Sequence, residues 1–194
     1  MQRLEKPPSL LRATLESIDA LARTQPPTRK RTPLTLASFV LRHAQAYVSQ
    51  RLSDEERALV LDVAKRCRDI HGPFEFRQCY VNSQRALMLD RSKRLYYVEG
   101  YVMELGHHTL HGWLAIHGKV VDFTALPPDP TNLPAEPPQI LGEFAGREYL
   151  GIPFRRAYVR SCARATEGFG TLIDDWERGF PLFRTVRRQW LRTT

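Results

Sequence analysis

The sequence predicts an α+β fold in which helices pack on a small antiparallel sheet. Three observations carry this. Segments of helical apolar period stand before and after a central region of strand composition. Within that region LYYVEGYVME, LHGWLAI and KVVDF follow one another, and His117-Gly118 joins the last two as a tight hairpin with positive φ at Gly118. The composition, 42% hydrophobic and 26% charged over 194 residues, is that of a globular domain large enough for a core of its own.

Residues 9–23 read as a helix with Ser9 as cap, and Leu11, Leu15, Ile18 and Leu21 fall near one face. QPPTRKRTP follows as a Pro-rich basic connector. The division that results is 1–32, helix and linker, and 33–194, a single α+β domain. TLASFVLRHAQAYVSQRL fits a second helix. A third starts at Ser53, with Glu56 completing a capping box. It buries Leu59, Val60, Val63, Ala64, Cys67 and Ile70, and His71-Gly72-Pro73 ends it. Residues 79–90 form a helix with Cys79 in its first turn. The three strands come next, with His107 and His108 read as loop residues before LHGWLAI. Residues 126–138 hold six prolines and exclude regular structure, so they are read as an excursion or lid. ILGEFAGREYLGIPF is a loop or short strand. RRAYVRSCARATEG is helical, and LIDDWERGF and FRTVRRQWLR read as short closing helices.

The net charge of +8 favours polyanionic contacts, centred on residues 28–31 and on the C-terminal Arg184, Arg187, Arg188 and Arg192. The simpler reading is a solvated basic surface, because no nucleic-acid-binding signature is present. No run of about 18 apolar residues exists, so no membrane span is expected. The charged N-terminus does not fit a signal peptide, and the expectation is a cytoplasmic protein. Three widely spaced cysteines, Cys67, Cys79 and Cys162, fit neither a disulfide framework nor a metal knuckle.

The chemistry concentrates in residues 77–124. A thiol becomes a nucleophile as the thiolate, which a helix N-terminus and a neighbouring imidazolium both stabilise. Cys79 has the first of these by position. His111 lies on the strand face shared by Thr109, Trp113 and Ala115, the face expected to meet Cys79. With the hairpin centred between 117 and 118, His111 falls opposite Thr124, and Asp122 becomes its diagonal neighbour. Nucleophile, base and orienting carboxylate are the parts of a cysteine acyl-transfer site. Gln78 is the side-chain oxyanion candidate, with Asn82 and Ser83 behind it. The structural alternatives are a small buried thiol at Cys79 and a carboxylate bonded to nearby backbone at Asp122.

A helix-borne Cys, a strand-borne His and an Asp on the adjacent strand resemble the transglutaminase-like branch of papain-like cysteine enzymes. RQCYVNS and HGWLAIHGKVVDFT are also similar to small uncharacterised proteins whose cores run QC-x-x-N, Y-V-E-G-Y, H-A-W and V-x-D-x-T. Gly112 stands where that pattern has Ala. The resemblance covers Gln78 to Thr124. It implies a papain-like core with Cys79 as nucleophile, His111 as base and Asp122 as orienter. It also makes Glu99, Tyr101 and Tyr149 pocket candidates, to which Asn82 and Trp113 are added. The expected activity is thiol-dependent acyl transfer on a peptide, protein or small amide or ester, with no cofactor and no metal.

Two rivals remain at this level. One is a non-catalytic binding protein of the same fold, with basic arms contacting nucleic acid or an acidic partner. The other is a metal site using His107, His111 and Asp122. The first two of these are four apart, which is ligand spacing on a helix, whereas this stretch reads as a strand. The sequence leaves the oligomeric state open.

Overall fold

A computed structural model describes residues 9–24, 35–75, 77–124, 146–175, 181–184 and 190–191. The basic stretch 28–31, the proline-rich 126–138, Trp176, Arg187, Arg188 and Arg192 lie outside the described residues. Arg184 lies in a short terminal helix.

The chain is α+β. Helices α1 (Leu10–Thr24) and α2 (Leu36–His43) lead into β1 (Gln45–Tyr47); α3 (Asp54–His71) and α4 (Cys79–Leu89) follow. Strands β2 (Tyr96–Glu104), β3 (His107–Ile116), β4 (Lys119–Val121) and β5 (Glu148–Phe154) precede α5 (Arg156–Ala165) and α6 (Pro181–Arg184). The five strands form one sheet in the order β1-β5-β2-β3-β4, and every ladder is antiparallel.

The sheet curls until its edges meet. Just past β1, the Val48 N–H donates to the Gly118 carbonyl (3.1 Å), and the Val120 N–H donates to the Val48 carbonyl (3.0 Å). These bonds satisfy edge groups that an open sheet would leave exposed. Closure sorts each strand's alternating side chains into an inside and an outside. Tyr47, Tyr96, Val98, Trp113, Ala115, Val120 and Tyr149 fill the inside. Tyr97, Leu114, Ile116, Leu150, Ile152 and Phe154 face outward into the main core, against Leu11 and Leu15 of α1, Phe39 and Val40 of α2, Val60 and Val63 of α3, Leu87 of α4 and Val159 of α5.

Two glycines permit the tight curl. One row across the sheet runs Gln45, Gly151, Gly100, His111. A Cβ on Gly151 would lie 2.4 Å from the Trp113 ring, and one on Gly100 would lie 2.2 Å from the Leu150 carbonyl oxygen.

Local signals place several elements as expected. Ser9 caps α1, accepting from the Arg12 N–H at 3.1 Å. Ser53 and Glu56 form the reciprocal capping box of α3. Gly72, at φ 82°, ends that helix. His117 and Gly118 turn the β3–β4 hairpin with φ 49° and 79°, and its register pairs Leu114 with Val121, as the sequence predicts.

Other expectations need correction. The helix predicted over 35–52 stops at His43, and Gln45–Tyr47 is an edge strand. Tyr47 is needed inside the curled sheet, where its ring meets Trp113 edge-on at 5.7 Å, and that packing overrides helical propensity. Of the two readings left open for ILGEFAGREYLGIPF, loop or short strand, residues 148–154 take the strand, between β1 and β2. His107 and His108 begin β3 rather than preceding it. On α1, Ile18 and Leu21 are exposed, and Asp19 is buried instead, accepting from Arg23 and Thr35. Ile70 is exposed on α3. Residues 172–175, the described part of LIDDWERGF, are not helical. Among the described residues no helix is long and apolar enough to cross a membrane.

Candidate active site

Three elements meet at the end of the curled sheet. β4 stops at Val121, so among the described residues the far half of β3 has no strand partner on that side. The first turn of α4 occupies the gap. Asn82 fastens it there: its side-chain amide donates to the Glu75 carbonyl (2.7 Å) and to Thr124 Oγ1 (3.2 Å), and its oxygen accepts from the Glu75 N–H (3.3 Å). One turn on, Ser83 Oγ donates to the Gly112 carbonyl at 3.0 Å. Gly112 lets the helix approach this closely. A Cβ there would lie 2.8 Å from both Tyr80 Cδ1 and the Tyr97 hydroxyl.

Cys79 is the first residue of α4 and is buried. Gln78 is the N-cap, with its side chain exposed and making no capping bond. The first internal bond of the helix runs from the Asn82 N–H to the Gln78 carbonyl (2.8 Å), so the amides of Cys79, Tyr80 and Val81 precede the ladder. Arg77, immediately before, sits at φ 62°, an uncommon conformation for a non-glycine residue and one found in tight functional turns.

His111 and Asp122 are joined directly: Nε2–H donates to Oδ2 at 2.7 Å. The Asp122 side chain is 1% exposed and that of His111 15%. Asp122 Oδ1 accepts from the Thr124 N–H at 3.0 Å, so the carboxylate makes the local backbone bond and the imidazole bond at once, one on each oxygen. The Tyr149 hydroxyl lies 3.4 Å from Oδ2. The Cys79 thiol is close enough to the imidazole for the two to interact electrostatically, and Nδ1 is the ring nitrogen not bonded to Asp122. The helix body lies against the outer face of β3, so Cys79 does not meet the His111 face squarely, as the strand alternation implied. The first turn of the helix lies at the edge of β3 beyond the end of the β3–β4 ladder, with Cys79 beside His111.

The electrostatics follow from this burial. Desolvation alone would lower the His111 imidazole; the Asp122 carboxylate, and Cys79 beside it, instead raise it to about 10. Desolvation alone would raise Asp122; the His111 charge and the bonds from His111 and Thr124 hold it below the ordinary carboxylate value. The pair is therefore set up as carboxylate and imidazolium.

The pocket candidates separate into two groups. Trp113 and Tyr149 sit inside the curled sheet with His111. The Trp113 ring stacks near-parallel to the imidazole (6.2 Å, 17°) and meets Tyr149 edge-on (5.2 Å). Glu99 and Tyr101 lie on the opposite face of the sheet, flanking the Gly100 that pairs with His111. Glu99 is fully buried and binds the 171–173 segment: it accepts from Tyr97 Oη (2.9 Å), the Leu172 N–H (2.8 Å), the Ile173 N–H (3.0 Å) and the Thr171 hydroxyl. Burial raises its carboxyl in spite of these donors. Tyr101 is half-buried, its ring 5.9 Å from that of His108.

A cavity of about 310 Å³ between α4, α5 and residues 166–175 is lined by Cys162 and by no histidine. Among the described residues no group of three His, Cys, Asp or Glu side chains has metal-binding geometry. The sequence reading named Tyr149 for the pocket and missed its contact with Asp122. A period-2 reading of Arg147, Tyr149 and Gly151 would have put them on one face. The chain matches no protein-family model, no curated protein and no solved structure.

Proposed function

We propose that the chain is a cytoplasmic thiol-dependent acyl-transfer enzyme of transglutaminase-like, papain-like type, acting on an amide or ester in a peptide, protein or small molecule. One observation carries the reading: His111 is bonded to Asp122 and has Cys79, the first residue of a helix, as a neighbour.

In the first step the Cys79 sulfur forms a bond to the substrate carbonyl carbon. The tetrahedral oxyanion is held by the Cys79 amide and the Gln78 side chain, which is exposed and bound to no helix amide. Collapse breaks the bond to the amine or alcohol, which leaves with the proton from His111. In the second step His111 takes a proton from water or from an acceptor amine as it attacks the thioester. The C–S bond breaks and the thiolate returns. Asp122 remains ionised throughout and fixes the tautomer of His111.

The test is iodoacetamide alkylation of each cysteine as a function of pH, read by peptide mass spectrometry, in wild type and His111→Ala. Cys79 is expected to react far faster than Cys67 and Cys162 below pH 7 and to lose that advantage without His111. A Cys79 that reacts no faster than Cys67 and Cys162 below pH 7, or that ignores His111→Ala, overturns the reading.

A further inference from the structure

Asp122 carries a charge in a site that is 1% exposed, and the imidazole is only one of its donors. A buried carboxylate bonded to a single imidazole has an alternative: take the proton and leave the pair neutral. What keeps the charge on Asp122 is therefore part of the site. Two groups approach Oδ2 besides His111. The first is the Tyr149 hydroxyl, at 3.4 Å. The second is the Arg147 guanidinium, two residues before Tyr149 on the same face of the strand, which adds a positive charge that is felt at Tyr149 and at Asp122. The guanidinium is itself held by Glu104 at the end of β2, Nη2 to Oε1 at 2.6 Å, with the Arg147 side chain 15% exposed.

We propose that Tyr149 and Arg147 are positioning residues that keep Asp122 ionised and aimed at His111, with Glu104 anchoring the guanidinium. The arrangement is directional. The Tyr149 O–H donates to Asp122, which accepts from it and from His111 on the same oxygen, while the Arg147 charge favours the ionised carboxylate. All three side chains come from adjacent strands or their ends. Arg147, just before β5, and Tyr149, near its start, are two apart and share a face, and Tyr149 pairs with Val102 two rows from Gly100 and His111. The groups that face the imidazole are thus Cys79 from α4, Asp122 beyond β4, Trp113 within β3, and Tyr149 with Arg147 behind it. Gly100 on β2 has no side chain to add. The role assigned to Asp122 rests on the acyl-transfer reading; the contact array does not.

The experiment follows two signals in the full-length chain: the ¹⁵N ring shifts of His111 against pH, and the alkylation rate of Cys79. The variants are Tyr149→Phe, Arg147→Ala and Arg147→Lys. Phe keeps the buried ring, and Arg147 is at a strand end, so folding is preserved and is checked by circular dichroism. Tyr149→Phe is expected to lower the His111 midpoint by about one pH unit. Arg147→Ala is expected to do the same, and Arg147→Lys to restore most of the shift. Deleting a cation that acted on the imidazolium alone would raise the midpoint instead. A raised or unchanged midpoint in Arg147→Ala, or an unchanged midpoint in Tyr149→Phe, overturns the proposal. The two ideas fail separately. A wild-type Cys79 with no rate advantage overturns the acyl-transfer reading, while His111 midpoints that still fall in the variants uphold the positioning array.

Discussion

His111 Nε2 lies 2.7 Å from Asp122 Oδ2; His111 is in β3, and Asp122 follows β4, whose ladder with β3 ends at Val121. Because β4 stops there, the Asp122 side chain is free to turn toward β3 while the Asp122 carboxylate still receives the Thr124 amide.

This pair predicts a specific pH dependence of stability. His111 is raised in the folded state to about 10 from an ordinary 6.5, so its contribution is fully present below pH 6.5 and is lost as pH rises toward 10. Asp122 is lowered, so its contribution is present above its ordinary value of 3.8 and is lost as pH falls further. Asp122→Asn is expected to cost about 3 kcal/mol at pH 6 and to flatten stability between pH 6.5 and 10. Urea midpoints across that range check it. A variant with the wild-type slope would mean that the pair contributes no linkage.

Gly112 predicts a steric effect. A Cβ at this position meets Tyr80 and the Tyr97 hydroxyl at 2.8 Å, and the hydroxyl is committed to Glu99. Gly112→Ala is expected to cost about 1–3 kcal/mol and to displace Tyr80, the neighbour of Cys79. Thermal melting reads the first effect and Cys79 alkylation at pH 6 the second. A variant as stable and as reactive as wild type would show that α4 has slack here.

Glu56 predicts an acid-sensitive closure. Buried at the start of α3, it accepts from Lys119 Nζ (2.7 Å), His117 Nδ1 (2.8 Å) and the Ser53 N–H (2.8 Å), tying the β3–β4 turn to the helix. Burial opposes its charge, but these donors bring its carboxyl down to about 2. A depressed carboxylate stabilises above its ordinary value of 4.5 and loses that contribution as pH falls toward 2. Glu56→Gln is expected to cost about 2 kcal/mol at pH 7 and almost nothing at pH 2. Denaturation midpoints of the two proteins that fail to converge at low pH would refute this.

Much of the candidate site was legible without coordinates, for a physical reason. The β3–β4 register follows from a two-residue turn, and the period of a strand is 2, so placing Gly118 placed Asp122 beside His111. Cys79 at a helix start followed from local pattern as well. β1 was not legible. QAYV sits in a helical-looking run, and only the inside of the curled sheet, where Tyr47 meets Trp113, makes it a strand. β5 was obscured because Gly151 and Pro153 read as loop residues, although Gly151 is where the Trp113 ring needs the space.

The sequence by itself determined the local structure: the Ser53 capping box, the Gly72 stop, the His117-Gly118 hairpin and the face shared by His111 and Trp113. Each is set by neighbours within a few residues, through bonds and dihedrals that the residue types dictate. The tertiary structure decided what lies beyond that range: the closure of the sheet through Val48, the seat of α4 against Gly112, and the Tyr149 contact with Asp122 across 27 residues of chain. Those depend on which apolar faces find one another, and that is a property of the whole core rather than of any segment.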